Sequence, residues 1–315
     1  MSDKNEKKDF RTSIGGQALI EGILMRGPKK QAMVVRTKDG LVTKVEDLKL
    51  LKEKYPIVGW PLIRGVVNFI SSMANGVRAL MFSAECMPED EQEEESKFEK
   101  WIEKRVGKKK AESALVTFSM ILGVALSVGL FILLPTFLAG AFFGLIQSAI
   151  LKNLLEGALR VIIFIAYLWL ATRLDDMKRV WAYHGAEHKT IFCYEAGLPL
   201  TVENVKSQKK EHPRCGTSFL FVVMIISIVI FSFTSWTNPW VRMGFRLLLL
   251  PVVVAISYEI NRLVGRYDNF FTRFLRAPGV LLQKMTTFEP DDSMIEVAIE
   301  ALEKVIPEDE TTDKW

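Results

Sequence analysis

Ser113-Ala-Leu-Val-Thr-Phe-Ser-Met-Ile-Leu-Gly-Val-Ala-Leu-Ser-Val-Gly-Leu-Phe-Ile-Leu-Leu-Pro-Thr-Phe137 runs for 25 residues without a charge. About 20 consecutive apolar residues cross the hydrocarbon core of a bilayer as a helix. This stretch is therefore a membrane span. Three more apolar stretches follow, at Leu155–Thr172, Ser218–Ser235 and Met243–Ile260, and the short link from Trp236 to Arg242 predicts that the last two form an antiparallel hairpin. Ala139–Ile150 is too short to cross by itself and reads as a re-entrant or interfacial return. The expected fold class is mainly α: a polytopic membrane protein with about four transmembrane helices.

The whole-chain numbers agree. The chain is 49% hydrophobic and 25% charged, yet its mean hydropathy is +0.17. Both hold because the charges come in blocks and the apolar residues in runs. A net charge of +4, unevenly placed, lacks the coherent basic face of a nucleic-acid binder, so the expected partner is the lipid bilayer and not nucleic acid. The polar start, Met1 to Arg11, carries no signal peptide, which leaves targeting to the first span.

Lys and Arg set the orientation. They crowd the region before residue 113, ending in Lys104, Arg105 and Lys108 to Lys110. They recur between spans two and three, from Arg173 to Arg214, and after span four at Arg262, Arg266, Arg273 and Arg276. The other side offers Lys152 and Arg242. By the positive-inside rule both termini and the central loop are cytoplasmic, which places Cys86, Cys193 and Cys215 in a reducing compartment as free thiols.

This gives five regions. Residues 1–112 form a cytoplasmic N-terminal part, 113–172 the first transmembrane pair, 173–217 a cytoplasmic loop, 218–260 the second transmembrane hairpin, and 261–315 a cytoplasmic C-terminal part. In the first, Ala32–Thr37 and Leu41–Glu46 flank Lys38-Asp39-Gly40 and predict a β-hairpin. Arg64, Asn68, Ser71, Ser72, Asn75 and Arg78 recur at helical spacing in an apolar run, the mark of an amphipathic interfacial helix. Pro88–Glu95 reads as a solvated acidic linker. Phe270, Phe271 and Phe274 with Arg273 and Arg276 predict a second surface-lying segment, and Ser293 with Glu296 a capping box opening a helix through Val305.

All three histidines lie between His184 and His212. In His184-Gly185-Ala186-Glu187-His188, two imidazoles four residues apart share one helix face, which suits a zinc-type divalent transition metal. Glu187 beside them is placed to act as a general base. His212 and Cys215, in His212-Pro213-Arg214-Cys215-Gly216, are candidates for a further ligand, as is Glu259 at the cytoplasmic end of the last span. The bland alternative keeps these histidines as interfacial residues, Glu259 as an arginine partner and Cys193 as a small buried apolar group. Gln17, Glu21 and Arg26, near the paired Gly15-Gly16, form a further candidate binding group, against a reading as a flexible turn. Gly123 and Ser127 offer a small-residue face for homo-oligomerisation.

At Gly15-Gly16-Gln17-Ala18, Glu21-Gly22, Met25-Arg26, Trp60-Pro61, Arg64-Gly65, Tyr183 to Lys189, His212 to Thr217, Tyr258-Glu259-Ile260 and Thr286-Thr287 to Glu289-Pro290, the sequence resembles the YqhQ-like family. These are bacterial membrane proteins of unknown function, often labelled predicted metal-dependent enzymes. The resemblance spans nearly the whole chain and implies the polytopic architecture and a metal site in the histidine loop. It implies no particular reaction. Three readings follow: a metal-dependent hydrolase acting on a membrane-proximal substrate; a scaffold or assembly factor with a structural metal; and a transporter. The last is disfavoured by spans poor in ionisable residues at mid-depth and by the lack of a repeat.

Overall fold

The computed structural model describes residues 10–48, 51–87, 107–142, 146, 148–233, 238–309 and 312–313. The acidic linker Pro88–Glu95 lies outside them. The chain divides into two compact units: residues 1–87, 168–227 and 249–315 form one, and residues 88–167 and 228–248 the other.

The first unit is built on an antiparallel meander, β1 (Gly15–Leu19), β2 (Gly22–Arg26), β3 (Lys30–Thr37) and β4 (Gly40–Asp47), in the order β1-β2-β3-β4. The predicted hairpin is β3–β4, closed by the pairing of Thr37 with Gly40. Gly40 has φ +129°, a backbone conformation that residues with a side chain rarely hold. The meander extends the hairpin by two strands. Alternation sorts its side chains to two faces. Ile23, Met25, Ala32 and Val34 pack against α6 (Asp175–Glu195) and α11 (Asp292–Glu303), while Leu19, Leu24 and Met33 pack with Ala79 of α2 (Ile63–Glu85). The edge strand β4 is exposed and carries Lys44, Glu46 and Asp47, charges that discourage pairing with another chain.

α11 buries Met294, Ile295, Val297, Ala298, Ala301 and Leu302 on one side, and each large side chain among them contributes about 1.5–3 kcal/mol. Its cap is Asp291, which accepts from the Met294 amide. Ser293 does not cap, and Glu296 pairs with Arg36 instead. A one-turn α1 (Leu51–Lys54) precedes α2. α7 (Val202–Lys206) and α10 (Phe270–Thr286) complete this unit's smaller helices. α10 opens with a capping box between Asn269 and Thr272. Phe270, Phe271 and Phe274 are all exposed on it.

Three helical stretches are long and apolar enough to cross a membrane: Ala114–Phe142, Ile150–Ala171 and Trp240–Arg266. The first is α3 (Lys108–Val128), a π-helical turn at Gly129–Leu133, and α4 (Leu134–Phe142) in continuous succession. The others are α5 (Ala149–Ala171) and α9 (Pro239–Arg266). The predicted third span is α8 (Gly216–Phe231), whose 16 residues fall short of that length. Of the predicted return, Ala139–Phe142 continues the first stretch and Ala149–Ile150 opens α5. Residues 143–145 and 147 are not among those described. The helix of span two stops at Ala171 and α6 starts afresh at Asp175, so the histidines stand on a helix of their own.

The second unit contains what the sequence reading did not find. Glu156 and Arg160 of α5 and Arg242 and Arg246 of α9 are all buried, with Arg242 and Arg246 both bonded to the Glu156 carboxylate. Thr136 donates to Glu156 at 2.9 Å. Pro135 lacks the amide hydrogen that would reach the Phe131 carbonyl along the helix, and Arg160 Nε donates to that oxygen at 3.0 Å. Two of the helices long and apolar enough to cross a membrane thus carry buried ionisable groups.

Candidate metal centre

α6 begins with Asp175 and Asp176 in its first turn, where carboxylates oppose the positive end of the helix dipole. Its inner face carries Tyr183, Glu187 and His188, all buried, with His184 partly so. Gly185 lets α6 approach the segment after α10. A Cβ there would sit 2.1 Å from the Phe288 carbonyl oxygen, so alanine does not fit.

Two carbonyls fix the imidazoles. His184 Nδ1 lies 2.8 Å from Thr286 O, and His188 Nδ1 lies 2.5 Å from Lys210 O. The first of these is a carbonyl in the last turn of α10, one of those with no helical donor. With both Nδ1–H groups donating to oxygen, each ring turns its Nε2 inward. His184 Nε2 lies 3.1 Å from Cys215 Sγ, and the buried His188 Nε2 has no hydrogen-bond partner. One ligand atom from each of His184, His188 and Cys215 falls within 4.8 Å of the others. Glu187 Oε2 is 4.0 Å from His184 Nε2 and 3.8 Å from His188 Nε2, and its Oε1 accepts from the Gly16 amide at 2.9 Å.

Electrostatics couples the group. Burial opposes the Cys215 thiolate, but His184 and His188 beside it hold the thiol well below its ordinary range. Burial likewise opposes a charged His184, and Cys215, Glu187 and the Thr286 carbonyl outweigh it, raising the imidazole to about 9. Each group favours the charged form of the other. Burial lifts the Glu187 carboxyl above its ordinary value, partly offset by His188 and His184.

Other candidate residues lie elsewhere. His212 is buried 3.8 Å from Glu195 and 3.4 Å from Arg214, its ring centre 5.5 Å from that of His188. Burial, with His188 and Arg214, lowers its pKa to about 4 against the pull of Glu195. It is neutral, and Glu195 is ion-paired with Arg214. Glu259 is held by Arg64 and the Leu62 amide, apart from the trio. Glu21, with φ 49°, closes the β1–β2 turn and is gripped by Arg179 and by Tyr183 Oη at 3.2 Å. Gln17 lies against Gly76 of α2, and Gln17 and Arg26 line a cavity of about 300 Å³. Glu195, Arg214 and the carbonyls of Thr286 and Lys210 were missed from sequence. Carbonyls carry no signature in a sequence, and Glu195 reads as one more helix charge.

A family model described as "Protein of unknown function (DUF1385)" matches residues 60–308, which include α6, Cys215 and α10. The chain belongs to that family. It is 32% identical over 301 residues to "Uncharacterized protein YqhQ" of Bacillus subtilis (strain 168), across 93% of this chain and 92% of that protein. No solved structure matches. In this DUF1385 member the model's match starts at Trp60, after the β-sheet, so the glycine that holds Glu187 lies before it.

Proposed function

We propose that this protein is a membrane-integral, metal-dependent hydrolase whose centre faces the cytoplasm, with His184, His188 and Cys215 as ligands and Glu187 as general base. The observation that carries the reading is the bare, buried His188 Nε2, aimed with His184 Nε2 toward one thiolate. A buried nitrogen without a partner is disfavoured, and a divalent ion satisfies it. Carbonyls on the far ring nitrogens are the outer shell that metal-binding histidines use. A zinc-type ion held there would supply Lewis-acid polarisation of a substrate carbonyl or phosphoryl oxygen. Glu187, held by the Gly16 amide and raised in pKa by burial, is suited to serve as the base.

The cytoplasmic assignment draws on the basic blocks and on parity. β1 and β2, α6 and α11 share one core, which supports putting the segments before, between and after the spans on one side. The chain between α6 and α11 must then cross an even number of times. α9 is one crossing, and α8, about 24 Å long at 1.5 Å per residue, is its partner. The proposed topology is therefore four crossings with both termini inside. An Asn238→Cys variant should react with an impermeant maleimide on intact cells and Lys304→Cys should not; the same behaviour at both sites defeats the topology.

Elemental mass spectrometry on detergent-purified protein tests the centre. About one metal equivalent in the wild type and none in a His184→Ala/His188→Ala variant is the expected result, and a chain that stays empty when supplied with zinc ends the reading. The distances of Glu187 to both Nε2 atoms favour a second reading, a structural clip with Glu187 as fourth ligand in a scaffold or assembly factor, since a closed site leaves no position for substrate. Glu187→Gln separates them: metal retained makes Glu187 the base, metal lost makes it a ligand.

A further inference from the structure

The cavity bounded by β1, β2 and α2 is lined by Ser13, Gly15, Gly16, Gln17, Leu24, Arg26, Gly27, Ser72 and Asn75. Its volume of about 300 Å³ is at the lower end of the range for small-molecule sites. Five polar side chains line it, and the Ser13 hydroxyl among them donates to Asp313. Those of Gln17, Arg26, Ser72 and Asn75 form no hydrogen bond with any described residue. Arg26 is the one charged residue in the lining, and it makes no ion pair among the described residues. Its electrostatic neighbour is the Tyr258 phenol, and burial lowers its pKa from the ordinary guanidinium value. A partly buried guanidinium among neutral donors, with no carboxylate in the lining itself and those of Glu187 and Asp313 bonded to Gly16 and Ser13, is an arrangement that an oxyanion completes.

We propose that this cavity binds a singly charged phosphodiester group, held by Arg26 and by the amide and hydroxyl groups of Gln17, Asn75 and Ser72. One guanidinium balances one negative charge. The neutral donors offer partners for the remaining oxygens, and the open space beside Gly15 leaves room for the substituents. α2, which supplies Ser72 and Asn75, also exposes Ile70 and Met73, so the group has two possible sources: a phospholipid headgroup or a soluble phosphodiester. The proposal does not rest on the metal reading. The two sites share only Gly16, whose amide holds Glu187.

The test uses full-length protein in detergent, with dihexanoyl phosphatidylglycerol and its deacylated headgroup, glycerophosphoglycerol, as probes in calorimetric titration. Metal content and thermal midpoint are measured on every sample. We expect saturable binding to the wild type, at least tenfold weaker in Arg26→Gln and partly kept in Arg26→Lys, with the thermal midpoint and metal content unchanged. Binding of the lipid alone identifies a headgroup site, and binding of both identifies a soluble ligand. No saturable binding of either probe to the wild type, or equal binding to wild type and Arg26→Gln, overturns the proposal. Arg26-dependent binding to a chain that takes up no metal would leave this site standing while the metal centre fell. If Arg26→Gln lowers the midpoint, Asn75→Asp gives the decision, because a carboxylate in the lining repels the same probes; undiminished binding there also overturns the proposal.

Discussion

His184 Nε2 lies 3.1 Å from Cys215 Sγ, and the two groups hold each other in charged form, imidazolium against thiolate. An ion bound by both must displace the imidazolium proton. Metal loading should therefore release about one proton near pH 7 and tighten as pH rises toward about 9. It should also shield the thiolate. We expect iodoacetamide to alkylate Cys215 in chelator-treated protein at least tenfold faster than in zinc-loaded protein, measured by peptide mass spectrometry. Equal rates would mean that zinc does not sit on Cys215.

Gly16 is where the sheet meets the site. A Cβ there would lie 2.8 Å from Glu187 Cγ and 2.8 Å from the Leu24 carbonyl oxygen, while at Gly15 it would meet nothing within 4 Å. Neither neighbour of Gly16 is the free end of a flexible chain. Gly16→Ala should thus destabilise the first unit by about 1–3 kcal/mol and displace Glu187, whereas Gly15→Ala should leave the thermal midpoint within 1–2 °C, roughly the effect of a change of a few tenths of a kcal/mol. Thermal unfolding of the two variants side by side checks this. Equal midpoints would show that the sheet yields at Gly16.

These features differ in how far the sequence announces them. Ser113–Phe137 declares itself because burial in lipid demands a long uncharged run, and the β3–β4 hairpin because its strands flank a glycine turn. His184, Glu187 and His188 are legible because helix geometry fixes the relation between residues four apart. Cys215 was one of several candidates, since its approach to His184 depends on how α6 and the start of α8 fold together. His212 and Glu259 had the same standing, and the structure gives each a different partner, Glu195 with Arg214 and Arg64. The Glu156 cluster was missed for a related reason. Glu156 and Arg160 lie in one helix and Arg242 and Arg246 in another, so no local pattern in either announces that they meet.

His212 makes stability sensitive to acid. Its folded pKa of about 4 lies below the ordinary 6.5, so between those values the unfolded chain binds more protons than the folded one. Stability then rises with pH across that window and falls on acidification from about 6.5 toward 4. The full effect at the acid limit is roughly 3 kcal/mol. The thermal midpoint in detergent should fall over this range, and His212→Gln, with no proton to gain, should show a shallower fall. Parallel curves for the two proteins would assign the acid sensitivity to other groups.

Glu156 is the carboxylate shared by Arg242 and Arg246, with Arg160 3.5 Å away. Removing one partner of a buried ion pair costs about 3–5 kcal/mol, because the remaining charge stays out of water. Glu156→Gln keeps the shape and removes the charge, so guanidinium groups that now converge on a carboxylate would repel one another. Arg246→Met tests the reverse, since a buried cation replaced by an apolar chain of similar length leaves Glu156 with Arg242 and Arg160. We expect Glu156→Gln to lower the thermal midpoint by several degrees and to reduce the yield of monodisperse protein, and Arg246→Met to do so less. Equal losses would mean that the carboxylate bond matters and the surplus positive charge does not. A neutral Glu156→Gln would show that the cluster is relaxed by groups beyond these four side chains.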